Sequence, residues 1–245
     1  MAINVNTVYK TVLLILNKEQ RGYMTPQEFN SIATQVQLEI FEKYFDDLNQ
    51  QLRVAQTDFD YADRVANIDE KIEVFKTFGN ATYTVSGALK YFSLPTVDAY
   101  SDPVSFYRLG SVVYTNDFNS QIELERLQRS EFYYIQNSPL TASTKTYPTY
   151  LYENNKLFVA PAGITSNIAV NYVRKPKGPV WGFTVGGLGQ YVYSAIASTD
   201  FELNGSEQTL VITKILLYAG IVINDPTIIQ VASQQAQAED INSKS

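Results

Sequence analysis

Hydrophobic positions along this chain change period twice, from helical to alternating and back to helical. Val5, Val8, Val12, Leu13, Ile15 and Leu16 recur at roughly helical spacing, which predicts a short helix with one broad buried face. The loop after Asn17 carries charge and Gly22. Thr25, Pro26 and Glu28 then give the clearest start signal in the chain: an N-cap hydroxyl, a proline at the first helical position and a glutamate placed to close a capping box. Behind it Phe29, Ile32, Val36, Ile40 and Tyr44 form one stripe, and Leu38, Phe41, Phe45, Leu48 and Leu52 form another. A helix with two apolar stripes must pack on two sides. One side suits the core of its own domain. The other suits a second layer or a neighbouring subunit.

Residues 56–70 are polar and acidic, and Val65, Ile68, Ile72 and Phe75 predict a short helix there. From Thr82 the period falls towards two. Thr82, Thr84, Leu89, Tyr91 and Phe92 read as strands broken at Ser86-Gly87, and Phe106 to Thr115 reads as a stronger strand. Gln121 to Leu127 alternates and runs into a short helix through Phe132 and Tyr134. Tyr150-Leu151-Tyr152 and Leu157-Phe158-Val159 flank Glu153-Asn154-Asn155-Lys156, a turn whose asparagines tolerate left-handed backbone, so this is the best hairpin. With Ile168 to Val173, residues 80–175 form an antiparallel region of five to seven strands.

Residues 176–205 are rich in Gly and irregular. Gly186-Gly187-Leu188-Gly189 invites comparison with a phosphate loop, but no Lys-Ser/Thr follows and no strand-loop-helix frame surrounds it, so a plain loop or hairpin is expected. Helical signals return from Glu207 to Gly220, where Leu210, Val211, Ile212, Ile215, Leu216 and Leu217 are apolar nearly all round. Asp225-Pro226 is a second N-cap with proline at the first position, opening a last helix to about Ala238. A polar tail follows from Glu239 and is expected to be mobile. The fold class is therefore α+β. The expected plan is a helical bundle from residues 1–75 and 206–240, because terminal helices bury their faces most simply on each other. An antiparallel β lobe with its Gly-rich loop, residues 76–205, is inserted, and 241–245 is the tail.

Composition narrows the chemistry. The 245 residues contain no His and no Cys, which removes Ser-His-Asp triads, Cys-His pairs, redox dithiols and the usual zinc sites. Carboxylates remain as acid/base groups, but Asp46-Asp47 are adjacent on a helix and point apart, while Asp58, Asp60 and Asp63 fall in a polar linker. No Asp-x-Asp-x-Asp-Gly calcium loop is present. The chain is thus expected not to be an enzyme and to need no cofactor or metal. A net charge of −6 disfavours a tight grip on DNA, and with no long apolar run no membrane partner is expected. Val5 to Leu16 lacks a basic flank and a cleavage site, so it is a poor signal peptide. The missing cysteines suit a reducing compartment. Aromatic residues reach 13%, with 18 Tyr, which fits either surfaces buried by partners or strand composition. The cluster Arg174-Lys175-Pro176-Lys177 could meet phosphate, an acidic neighbour or solvent.

Several segments carry a resemblance. They are Asn17-Lys18-Glu19-Gln20-Arg21-Gly22-Tyr23-Met24 running on to Asn30, Gln37 to Phe41, Tyr172-Val173-Arg174-Lys175-Pro176-Lys177 running on to Trp181-Gly182, Phe201 to Glu207, and Lys214 to Gly220. Together they resemble virion structural proteins of short-tailed bacteriophages, crAss-like phages in particular, and among them the ring proteins that act as head-to-tail adaptors beneath the portal. The resemblance covers most of the chain and is diffuse in the β region. It implies a homo-oligomer, a twelve-fold ring docked to the portal protein and to other tail or ring proteins. Genomic DNA would pass through its channel without specific binding during ejection. It implies a place at the head–tail junction of the virion, after synthesis in the host bacterial cytoplasm. It brings no catalytic residues. Candidate interface residues are Arg174, Lys175, Lys177, Trp181, Gln234, Gln235 and Gln237. A carboxylate glycan hydrolase of the virion and a host-surface binding module are the alternatives. The first needs two facing carboxylates in a deep pocket, and the second needs a chain that is β-rich throughout.

Overall fold

The computed structural model describes residues 2–18, 23–51, 64–87, 89–99, 103, 105–223, 230–231, 233–235 and 237–238. Residues 52–63, the Asp225-Pro226 helix start and the tail from Glu239 lie outside them. In chain order the elements begin with β1 (Ala2–Ile3), α1 (Val5–Lys18), α2 (Pro26–Gln51), α3 (Arg64–Glu73), β2 (Lys76–Asn80), β3 (Thr82–Ser86), β4 (Leu89–Ser93) and β5 (Phe106–Thr115). Next come β6 (Gln121–Glu123), β7 (Glu125–Leu127), α4 (Arg129–Asn137), β8 (Thr149–Glu153), β9 (Lys156–Ala160) and β10 (Ile168–Arg174). The remainder are β11 (Phe183–Val185), β12 (Tyr191–Tyr193), β13 (Phe201–Asn204) and α5 (Gln208–Ile223). The chain is α+β, and its strands pair antiparallel except for β7 with β8.

Two compact units emerge, Met1–Val74 with Pro176–Ser245, and Phe75–Lys175. The first junction falls beside the one expected from sequence. The second falls at 175/176 rather than 205/206, so residues 176–205 group with the helices and not with the β lobe. The reason is a pair of polar side chains on α2. Asn30 accepts from the Trp181 N–H at 2.8 Å and donates Nδ2 to its carbonyl at 3.4 Å. Gln37, two turns on, donates Nε2 to the Lys177 carbonyl at 2.7 Å and accepts from the Glu202 N–H at 3.0 Å. Positions seven apart share one helix face, so α2 binds the backbone of this irregular stretch as a template. Trp181 completes the attachment. Its ring lies 4.4 Å from Tyr9 and 5.6 Å from Tyr193, and Tyr9 meets Phe29 at 4.8 Å.

Within this first unit, α1 buries Val5, Val8, Tyr9, Val12 and Leu16. Its start is held from far along the chain, because Val5 N–H donates to Asp200 Oδ1 at 2.8 Å and β1 pairs with β13 through Ala2↔Asn204 and Ile3↔Phe201. Both stripes of α2 are used: Phe29, Val36, Ile40 and Tyr44 are buried along one, Phe41 and Phe45 along the other. The helix α5 runs through Gly220 and buries Val211, Ile215 and Ala219, while Ile212, Leu216 and Leu217 are only half-buried. An ion pair from Lys214 to Glu39, with the Tyr218 hydroxyl donating to the same carboxylate at 3.2 Å, ties α5 to α2.

The capping box is formed as expected. Thr25 N–H donates to Glu28 Oε2 at 2.8 Å and Glu28 N–H donates to Thr25 Oγ1 at 3.3 Å. These bonds, the backbone one first, hold the Glu28 carboxyl below its usual range. Its contribution is therefore complete above the ordinary glutamate value of 4.5 and fades as pH falls through the lowered value. Thr25→Ala is expected to cost about 1 kcal/mol. Denaturant midpoints of the two proteins check this, and equal midpoints would deny the cap any role.

The second unit is a sandwich. A four-stranded sheet, β2-β10-β5-β6, and a five-stranded sheet, β3-β4-β9-β8-β7, contribute to one core. Val112, Val170 and Tyr172 enter from the first, and Phe92, Tyr150 and Leu157 from the second. Leu124, buried between β6 and β7, is where the chain passes from one sheet to the other. The β8–β9 turn holds Asn154 and Asn155 at φ 50° and 56°, the left-handed pair that a two-residue hairpin requires.

Candidate interaction surfaces

The sequence-derived interface residues are divided between the two units. Arg174 and Lys175 end the β unit, and Lys177 and Trp181 begin the returning segment of the helical unit. Arg174 ends β10, 5.8 Å from the Phe75 ring centroid, and donates to the Lys175 carbonyl at 3.4 Å. Lys175 is exposed, and its N–H donates to the Ser105 carbonyl at 2.7 Å. Lys177 is exposed too, with its backbone N–H on Glu202 Oε2 at 2.9 Å. Trp181 departs most from expectation. It is only 5% exposed, and its indole N–H donates to Asn6 Oδ1 at 3.2 Å. Its interface is internal, so no partner touches this ring while the unit is folded. Gln234, Gln235 and Gln237 are helical and exposed, as a docking surface requires.

The apolar surface lies elsewhere, on three separately built supports. The first is the β11–β12 hairpin. Phe183 and Tyr193 form a pair at its base and pack on Trp181 at 6.0 and 5.6 Å, and Tyr191 meets Phe183 edge-on at 4.9 Å. At the tip, Gly186 N–H bonds the Gln190 carbonyl at 2.8 Å and Gly189 N–H bonds the Gly186 carbonyl at 2.9 Å, with Gly189 at φ 80°. Leu188 N–H donates to the Gln190 side chain at 3.1 Å. This bonded turn presents Leu188 at 95% exposure, and Ile196, just beyond β12, stands at 100%. At the hairpin base a Cβ on Gly182 would lie 2.5 Å from the Ala197 backbone, so glycine is required there.

The second support is α4, which buries none of its residues. Polar bonds hold it instead. Arg129 reaches Glu153 with Nε at 2.9 Å, and the contact raises the Arg129 pKa and lowers that of Glu153. Gln136 donates to Ser143 Oγ at 2.8 Å, which shares a hydrogen bond with Thr149 at 2.6 Å. Tyr133, Tyr134, Leu140 and Tyr147 are exposed around it, Leu140 at 94%. The third support is the β5–β6 turn, where Asn116 Oδ1 accepts from the N–H groups of Phe118 and Ser120 at 3.0 and 2.9 Å and Phe118 projects at 91% exposure. Isolated exposed apolar residues are ordinary, but here each sits on a locally bonded platform.

One polar cavity of about 230 Å³ lies in the helical unit, lined by Lys43, Tyr44, Asp47, Lys71, Glu207 and Thr209. Lys71 and Glu207 pair across it at 2.5 Å. The Tyr44 hydroxyl is buried and has no hydrogen-bond partner among the described residues, and burial first, then the Glu207 and Asp47 charges, push its pKa far up. Among the described residues no cluster of three or more acidic side chains could hold a metal ion, and no helix is long and apolar enough to cross a membrane.

The sequence predicted the short helix through Phe132 and Tyr134 and a loop or hairpin around Gly186–Gly189, but not the apolar side chains exposed on them or on the β5–β6 turn. Only the hairpin left a usable signal: residues 178–199 contain no charged side chain. No family model matches this chain, and no curated protein matches it.

Proposed function

We propose that the chain is a structural subunit of a bacteriophage head-to-tail connector, a helical bundle with an inserted β lobe repeated around a ring beneath the portal. The observation that carries this reading is the set of apolar side chains, led by Leu188, Ile196, Leu140 and Phe118, standing in solvent on hydrogen-bonded supports in both units. A ring subunit contacts each neighbour through a different surface, and it also contacts the layers above and below. It therefore needs several such patches, whereas a catalyst needs one lined cleft. The resemblance to adaptor rings supplies the place: the head–tail junction of the virion, with portal on one side, other tail or ring proteins on the other, and twelve copies around the channel. The net charge of −6 suits a channel that genomic DNA passes without being gripped. No enzymatic role belongs to this proposal.

Mass photometry and cryo-electron microscopy of the purified chain, alone and with portal, test it. A monomer or weak oligomer is expected alone, and a twelve-membered ring on portal. A chain that ignores portal at every concentration would sink the reading. Docking is assigned to the terminal helices and tail, because Gln234, Gln235 and Gln237 are exposed and polar. Deleting residues 234–245 is expected to leave circular dichroism unchanged and to weaken co-sedimentation with portal. Normal binding by the folded truncation would move the docking surface elsewhere, to the β lobe first.

A further inference from the structure

Resting on the ring reading above, we propose that the β11–β12 hairpin of one copy docks on the α4 shelf of the next copy, and that this contact joins neighbouring subunits. The two surfaces match in kind. The hairpin offers aliphatic side chains on a preformed turn: Leu188 at the tip, Val185 on one face and Val192 on the other, and Ile196 just beyond. The shelf offers broad apolar side chains, Tyr133, Tyr134, Leu140 and Tyr147, on a helix already fixed by its polar bonds. Preformed surfaces lose little conformational freedom when they meet. Tyrosine is enriched at interface centres relative to ordinary surface.

Charge selects the occupant. The helical unit carries 10 Lys and Arg against 18 Asp and Glu, a net −8, whereas the β unit carries 9 against 7, a net +2. A helical unit therefore repels another helical unit, DNA and an anionic membrane, and it attracts a β unit. The hairpin itself is uncharged, so its apolar side chains enter an interface without stranding a charge there. A second copy of this chain brings such a β unit together with its exposed apolar shelf. The contact is heterologous. Each added copy leaves one hairpin and one shelf open until a ring closes on itself.

The absence of cysteine makes the test clean. Leu188→Cys and Tyr134→Cys are made separately and together in the full chain, and each is mildly oxidised at rising concentration and on portal. Mixing the two single variants is expected to give a mixed disulfide dimer in preference to either homodimer. The double variant is expected to give a ladder that ends at the ring size. Leu188→Asp is expected to abolish assembly with circular dichroism unchanged, since the side chain makes no core contact. Homodimers of Leu188→Cys as the main product would overturn the proposal. Rings that form on portal without the 188–134 bond overturn the contact and leave the ring reading standing. No assembly under any condition overturns both. Binding of the unaltered chain to phosphatidylglycerol vesicles, lost in Leu188→Asp, would assign the hairpin to a membrane instead.

Discussion

Trp181→Ala is expected to destabilise the helical unit by about 3–5 kcal/mol, the range for removing a large buried aromatic side chain. Three losses combine. The indole leaves a cavity between Tyr9, Phe183 and Tyr193, which surround it at 4.4, 6.0 and 5.6 Å. Its N–H no longer satisfies Asn6. The β11–β12 hairpin loses the platform under its base. Urea unfolding followed by far-ultraviolet circular dichroism measures the effect. Trp181→Phe, which keeps most of the packing and loses the hydrogen bond, is expected to recover most of the stability, leaving a deficit of about 1 kcal/mol for the missing bond. Because this is the one tryptophan in the chain, its fluorescence should be that of a buried ring and should shift to the red on unfolding. Solvent-exposed emission from the folded protein would contradict the packing described.

Gln37→Leu is expected to cost about 2–4 kcal/mol, although it replaces a buried polar group by an apolar one of similar size. Gln37 is 1% exposed and both ends of its amide are used. Leucine would leave the part-buried Lys177 carbonyl and Glu202 N–H without the Gln37 amide, and each carries a penalty in the lower part of the range of about 1–3 kcal/mol that applies to full burial. A loss much below 1 kcal/mol would mean that water takes over both groups and that the template role of α2 is minor. The β unit provides the control, because the spectroscopic signal of its sandwich should persist at denaturant concentrations that melt the altered helical unit.

The parts of the fold that were legible are those encoded locally. The capping box at Thr25, the two stripes of α2 and the Asn154-Asn155 turn each depend on residues a few positions apart. Residues 176–205 were misassigned for the opposite reason. Nothing inside Gly178-Pro179-Val180-Trp181-Gly182 shows that its backbone partners are Asn30 and Gln37, about 150 positions earlier. The signal was on the helix. Asn30 and Gln37 are polar, seven apart and set among apolar positions, which is the mark of a polar group reserved for a specific partner. Trp181 stands among the candidate interface residues with Arg174, Lys175 and Lys177, yet an uncharged stretch around a lone tryptophan points as well to burial. Ala2–Ile3 is too short to register as a strand in any period. The exposure of the apolar side chains was illegible because it depends on what fails to pack over a residue, and no local pattern records that.

The pairing of Ala2–Ile3 with Phe201–Asn204 also fixes an order of events during synthesis. Asp200, the aspartate that holds the first turn of α1, lies 195 residues beyond Val5 and is made long after α1. The β unit, continuous from Phe75 to Lys175, has all its strands before the helical unit has its last ones. Val8, Val12, Phe29 and Val36, buried in the finished helical unit, are thus made long before its last strand and helix, and apolar surface exposed during synthesis favours aggregation. Truncated products that end before residue 200 cannot complete the helical unit.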